Sequence, residues 1–273
     1  MSRLVQYLFV PVRPPLRVKE LAVAADPDWM GSDAGGDGSG QGDPDGASER
    51  RLAALIAAAQ VDREGSAMVT LLGLGRPAVV AVVATLAAEP TPGRRGQLVG
   101  LLVELAPGHL DLVESALLGA PWYLARNLAT VLGHVGGVEH LPLLEELLGH
   151  EHPAVRREAV RGMVRLGGVL ATAPLAASSA DADPGVRRLA LHGLAEIDSP
   201  AALAVLARAS RRGRPAAERR LALSGLARSA RPEADAGLRE AATRPALLAG
   251  SRSVRAHARA LLAARPARTV TFR

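Results

Sequence analysis

The chain has 273 residues and a mass of 28.3 kDa, enough to bury a sizeable core. Hydrophobic residues make up 48% of it but aromatic residues only 2%, and there is no Cys, which excludes disulfides, thiolate metal sites and cysteine nucleophiles and fits a cytoplasmic protein. The net charge of +6 hides an asymmetry, because residues 184–273 alone hold 18 basic and 6 acidic side chains.

Two segments precede the repetitive part of the chain. Residues 1–25 predict an N-terminal arm, with a short strand or extended stretch over Leu4 to Val12 and no secretion signal, since prolines and charges follow the brief apolar run. Residues 26–48 are rich in Gly, Asp and Ser and carry only acidic charges, which predicts a flexible linker. An alternative is that residues 1–25 are the tail of a neighbouring module.

Internal repetition dominates residues 49–265. Windows beginning at Leu124, Val155 and Val186 align without gaps at an offset of 31, and RRLALHGL at 187–194 returns as RRLALSGL at 219–226. Extending this register defines what we call the ladder, one apolar residue per repeat: Leu72, Leu102, Leu132, Met163, Leu194, Leu226 and Leu262.

Each repeat is predicted to be a helical hairpin. Apolar residues in the first helix recur at i, i+4, i+8 and i+11, prolines mark helix starts and Gly pairs mark helix ends. A second helix follows with its own apolar positions, Leu144, Leu175, Leu206 and Leu238. The sequence therefore predicts an all-α, right-handed solenoid of about six stacked hairpins over residues 49–265, the second helices lining its concave side, and a C-terminal tail over 266–273. No window approaches the ~20 apolar residues of a membrane helix, so we expect a soluble protein.

The repeats resemble the HEAT-like repeats of the phycobilisome-lyase type, the form with a short period. The resemblance rests on P-x-V-R-R at 153–157 and 184–188 and on the Ala-x-x-x-Leu/Met-x-x-Leu/Ile spacing after them, and covers about residues 67–264. The stretch Trp122, Tyr123, Arg126 and Asn127 also resembles an element of bacterial HEAT-repeat proteins. The resemblance implies protein binding, although some members are bilin lyases or di-iron deoxyhypusine hydroxylases.

Histidines cluster in one repeat and are the best metal candidates. His150–Glu151 is the one His-Glu pair, and the positions one period later, Asp181 and Ala182, cannot complete a site of the hydroxylase kind. We therefore expect surface or capping histidines, no metal and no cofactor. The cluster comprises His134, His140, His150 and His152, with Glu139, Glu145, Glu146 and Glu151 nearby.

Partner-binding candidates lie at two places. Trp122 and Tyr123, with Arg126 and Asn127 following on the same helix, could anchor a partner; alternatively Trp122 fills the seam against the preceding repeat and Arg126 stacks on it. On the second helices, polar positions supply further candidate contacts: His140, Glu145, Glu146, Arg208 and Arg211.

Function is predicted at the level of a non-catalytic scaffold that binds another protein. One alternative is a lyase or hydroxylase, or a subunit of one. A second is binding of a nucleic-acid backbone through the basic C-terminal third, which lacks rings to stack on unpaired bases. The arginines considered for that role are Arg211, Arg212, Arg214, Arg219 and Arg220.

Overall fold

The computed structural model describes residues 44–211, 214–244 and 251–265, and throughout these ranges the chain forms helices joined by turns. The predicted all-α fold class is confirmed. The expected strand or arm at Leu4 to Val12 and the tail at 266–273 lie outside the described residues, as does most of the predicted linker. The first described helix begins at Pro44, within the last residues of the predicted linker.

The chain divides after Gly136 into two compact units. In the first unit α4 packs against α3 and α6, α3 packs against α5, and α1 packs against α2. The helices are α1 (Pro44–Val61), α2 (Ser66–Leu74), α3 (Arg76–Ala88), α4 (Pro92–Leu105), α5 (Leu110–Leu117) and α6 (Trp122–Val135).

The second unit stacks its hairpins in two rows. The row of first helices is α8, α10, α12 and α14, each packed on the next, and the second helices α7, α9, α11 and α13 pack in the same succession. This is the adjacency that the solenoid prediction required. The helices are α7 (Leu141–Leu148), α8 (Pro153–Gly167), α9 (Thr172–Ser178), α10 (Pro184–Ile197), α11 (Pro200–Ala209), α12 (Ala216–Arg228), α13 (Pro232–Thr243) and α14 (Ser251–Ala263).

The predicted core positions are buried with two exceptions. All four second-helix leucines have no exposed surface, and the ladder from Leu102 to Leu226 is buried throughout. Leu262 is only half-buried. The prediction that Leu72 is buried was wrong, because the residue is 52% exposed. The reason is an additional short helix, α2, between α1 and α3, so that a period of 30 counted back from Leu102 reaches the exposed face of α2, whose buried residues are Met68 and Leu71.

The starts of α8 and α10 and the end of α8 lie at the prolines and the glycine that the sequence marked. Pro153 and Pro184 occupy the first turns of α8 and α10, and the Asp183 carboxylate caps α10 by accepting the Val186 N–H at 2.9 Å. Gly168 ends α8 with φ of 47°, a backbone conformation that favours glycine.

Among the described helices, none taken singly has the length and apolar character to cross a bilayer; α2 and α3 meet that criterion only as a pair bent by 110°.

Candidate functional site

Tyr123 ties the start of α6 to α3 and α4. Its hydroxyl donates to the Ala87 carbonyl at the end of α3 at 3.2 Å, and the Arg95 guanidinium of α4 lies 5.6 Å from the centre of its ring. A hydrogen bond and a cation–π contact thus hold the same ring from two sides. The residue that fills this seam is therefore Tyr123.

Trp122 is presented to solvent beside it. The side chain is 44% exposed, and its ring meets the Tyr123 ring edge to face, with centres 6.2 Å apart and planes at 85°. This is a favourable geometry for two aromatic rings. The alternative in which Trp122 fills the seam does not fit so large an exposed fraction.

The other two residues of this motif differ in exposure. Arg126 is exposed and lies one helical turn after Trp122, so the two share a face of α6. Asn127 is 5% exposed, and its side-chain nitrogen has no hydrogen-bond partner among the described residues. The structure thus places Trp122 and Arg126 on the surface and Asn127 inside.

The candidate residues predicted on the second helices also differ in exposure. His140 is 6% exposed and lies in a single 3-10 turn, Val138–His140, where its Nδ1 accepts the Gly137 N–H at 3.0 Å. This corrects its expected position on a second helix. Glu145 and Glu146 are exposed on α7. Arg208 is exposed on α11, and Arg211 forms an ion pair with Glu240 at 3.5 Å.

Several clustered histidines contact backbone groups of residues close to them in the chain. His150 Nδ1 accepts the His152 N–H at 2.9 Å, and His152 Nδ1 in turn accepts the Ala154 N–H at 3.2 Å, capping α8. His134 Nδ1 lies 2.8 Å from the Thr130 carbonyl oxygen. Within the described ranges, no three His, Asp or Glu side chains are grouped so that they could hold a metal ion.

One serine–histidine pair resembles half of a catalytic arrangement. Ser224 Oγ on α12 lies 3.0 Å from His257 Nε2 on α14. Nucleophilic catalysis also requires a group that orients the base and donors for the oxyanion. In the part of the chain that the structure describes, no carboxylate forms an ion pair with His257.

Many arginines of the basic third serve as ties inside the second unit. Arg214 donates to the Ser179 carbonyl at 2.5 Å, and Arg231 donates to the Asp198 carbonyl at 2.7 Å. Arg219, one of those considered for nucleic-acid binding, is only 8% exposed. These contacts were missed from sequence because the acceptors are loop carbonyls about one repeat away, which no residue pattern marks.

Residues 110–184 match the family model for HEAT repeats. The matched segment is similar to HEAT repeats. It runs from the start of α5 to the first residue of α10 and includes Trp122, Tyr123 and the first P-x-V-R-R element.

One of the similar solved structures is human deoxyhypusine hydroxylase in complex with glycerol. It is 18% identical, with 80% of this chain and 97% of that chain covered, and the TM-score is 0.38. That score is too low to support an argument from this similarity. None of the curated proteins matches significantly.

Proposed function

We propose that the protein is a non-catalytic scaffold whose HEAT repeats bind another protein through the aromatic corner, which we define as Leu118, Trp122, Tyr123 and Arg126. The observation that carries this proposal is the position of Trp122, which is 44% exposed while the neighbouring Tyr123 is fixed by Ala87 and Arg95. Leu118, in the turn before α6, is 67% exposed and adds apolar surface.

The corner has the physical character of a binding hot spot. Trp and Arg are enriched among the residues that carry binding energy, and a rigid ring loses little conformational entropy when a partner covers it. Because Tyr123 meets the Trp122 ring edge to face, the orientation of Trp122 is supported before a partner arrives. The exposed Arg126 offers polar contact at the rim.

The sequence supports a finer assignment of the repeat type and of the location in the cell. The short repeat period supports the phycobilisome-lyase type of HEAT-like repeat, and the lack of Cys supports a cytoplasmic location. The W-Y-x-x-R-N element, which resembles one in bacterial proteins, is the same stretch that forms the aromatic corner.

Capture from the native cell, with matched variants, tests the proposal. The bait is the full chain in three forms: unchanged, Trp122→Ala and Val69→Ser, the last being a 66% exposed apolar residue of the same unit. We expect a partner that the unchanged chain and Val69→Ser retain in comparable amounts and Trp122→Ala loses. With the purified partner, Trp122→Ala should weaken binding about 30-fold, the loss typical of a hot-spot residue.

A folding control separates binding from stability. Because Trp122 is half exposed, Trp122→Ala should keep its helical circular dichroism and melt within a few degrees of the unchanged chain. If the same proteins are retained by all three baits, the aromatic corner is not the binding surface.

A further inference from the structure

A shallow pocket in the second unit gathers polar side chains from α12, from α14 and from the residues that directly follow α11 and α13. It is open to solvent on one side, and two apolar residues complete its lining. Arg219 is 8% exposed there, and its Nε donates to the Ser210 carbonyl at 3.4 Å. The polar residues lining the pocket are Ser210, Arg219, Arg244, Ser251 and Arg255.

Positive charge predominates in this pocket. Arg244 pairs with Glu240, a carboxylate that also lies 3.5 Å from Arg211. Arg255 has no carboxylate within ion-pair distance among the described residues. Glu240 can neutralise the charge of Arg244, but the Arg255 guanidinium still leaves one positive charge at the pocket.

Ser251 supplies the second, independent sign of a ligand. It is 6% exposed, lines the pocket, and its hydroxyl has no hydrogen-bond partner among the described residues. A buried hydroxyl without a partner costs free energy, which a bound acceptor would recover. Ser251 is also the first residue of the 13-residue helix α14, where the first-turn N–H groups have no acceptor within the helix and the helix dipole favours an anion.

We infer that this pocket binds a phosphate group. Guanidinium groups, a hydroxyl and a helix N-terminus are all donors, and a phosphate presents several acceptor oxygens that such a set can share. Because the pocket is open on one side, both free phosphate and a phosphorylated side chain of a partner can reach it. The site belongs to the second unit, whereas the aromatic corner belongs to the first, so the two proposals stand or fall separately.

Calorimetric titration of the full chain with inorganic phosphate, at ionic strength held constant with chloride, tests this inference. We expect saturable binding of one phosphate, weakened about tenfold by Arg255→Gln. The matched control is Arg252→Gln, which removes an exposed arginine from the same helix outside the pocket and should change binding less than twofold. Binding that never saturates, or equal weakening by both variants, overturns the inference.

Ser251→Ala distinguishes a ligand role from a structural one. Without phosphate, the variant should melt at the same temperature or higher, since it lacks the unpartnered hydroxyl; with phosphate, its rise in melting temperature should be smaller than that of the unchanged chain. A large loss of stability with an unchanged response to phosphate would contradict us. In a parallel titration, a phosphoserine peptide that binds tighter than phosphate identifies a phosphorylated partner as the source, and equal or weaker binding identifies the free ion.

Discussion

Arg156 and Arg187 occupy the same position in consecutive repeats and make the same hydrogen bonds to the loop before their own helix. Nη1 of each donates to the carbonyls of the residues six and five positions earlier, at 2.9 and 2.9 Å for Arg156 and at 2.9 and 2.8 Å for Arg187. Each arginine thereby satisfies two loop carbonyls that lie outside the helical hydrogen-bond pattern.

The remaining donors of both arginines reach an acid of the next repeat. Arg156 holds Asp181 through Nε and Nη2, both at 2.8 Å, and Arg187 holds Glu218 through the same atoms at 2.9 and 2.7 Å. These hydrogen bonds raise the pKa of both arginines. The first arginine of P-x-V-R-R therefore links its own loop to the following hairpin.

The Arg187 link should matter for stability. Glu218 is 4% exposed, so Arg187→Gln leaves a buried carboxylate whose one remaining ion-pair partner among the described residues is Arg214, at 3.6 Å. We expect the free energy of unfolding to fall by about 2 kcal/mol in urea titrations. The control is Arg188→Gln, which alters the neighbouring exposed arginine and should cost less than about 0.5 kcal/mol. Equal losses would show that charge alone, and not this link, is responsible.

Asp183 should make stability depend on acid pH. Hydrogen bonds from Arg157, opposed by burial and reinforced by the Val186 N–H, hold the pKa of Asp183 well below its usual value near 3.8. Because the pKa is lower in the folded state, the stabilisation is fully present above about pH 4 and is lost as the pH falls through the folded-state pKa.

Asp183→Asn tests this dependence, since Asn still caps a helix but carries no charge. Urea unfolding at pH 6 should show the variant to be less stable than the unchanged chain, and the difference should shrink steadily towards pH 2. A difference that stays constant over that range would mean that the Asp183 charge contributes nothing.

The ladder makes a sharp prediction about the core. Leu132 has no exposed surface, so Leu132→Asp places a carboxylate where nothing can solvate it and should cost about 4 kcal/mol or more, melting its own repeat and those beside it. The control is Leu72→Asp, which alters a ladder residue that is 52% exposed and should change stability by less than about 0.5 kcal/mol. Circular dichroism during heating compares the two; a Leu132→Asp variant with full helicity and an unchanged melting temperature would refute the assigned core.

Sequence periodicity predicted what depends on local helical spacing. The positions from Leu102 to Leu226 are right because residues on one helix face must share a partner, whatever the partner is. The prediction for Leu72 failed because a repeat period carries no information about an added helix. The pocket lined by Arg219, Ser251 and Arg255 could not be predicted either, since it forms only where α12 packs against α14.

Close approach between neighbouring repeats depends on a glycine inside a helix. Gly193 of α10 is buried, and a Cβ there would lie 2.3 Å from Val164 Cγ2 of α8 and 3.1 Å from Leu175 Cδ1 of α9. Val164 is β-branched and stiff in a helix, so its methyl group cannot easily turn aside. The glycine in RRLALHGL is thus required by packing, although glycine itself is a poor helix former.

Gly193→Ala should therefore destabilise the protein even though alanine favours the helix. We expect a loss of about 1–3 kcal/mol, as for overpacked cores. Gly96→Ala is the matched control: Gly96 lies inside α4 with nothing within 4 Å of its would-be Cβ, so that variant should gain about 0.5–1 kcal/mol from helix propensity alone. Urea unfolding of both variants measures the contrast. A gain in both would mean that α8 and α10 can move apart at no cost, which the overlap with Val164 argues against.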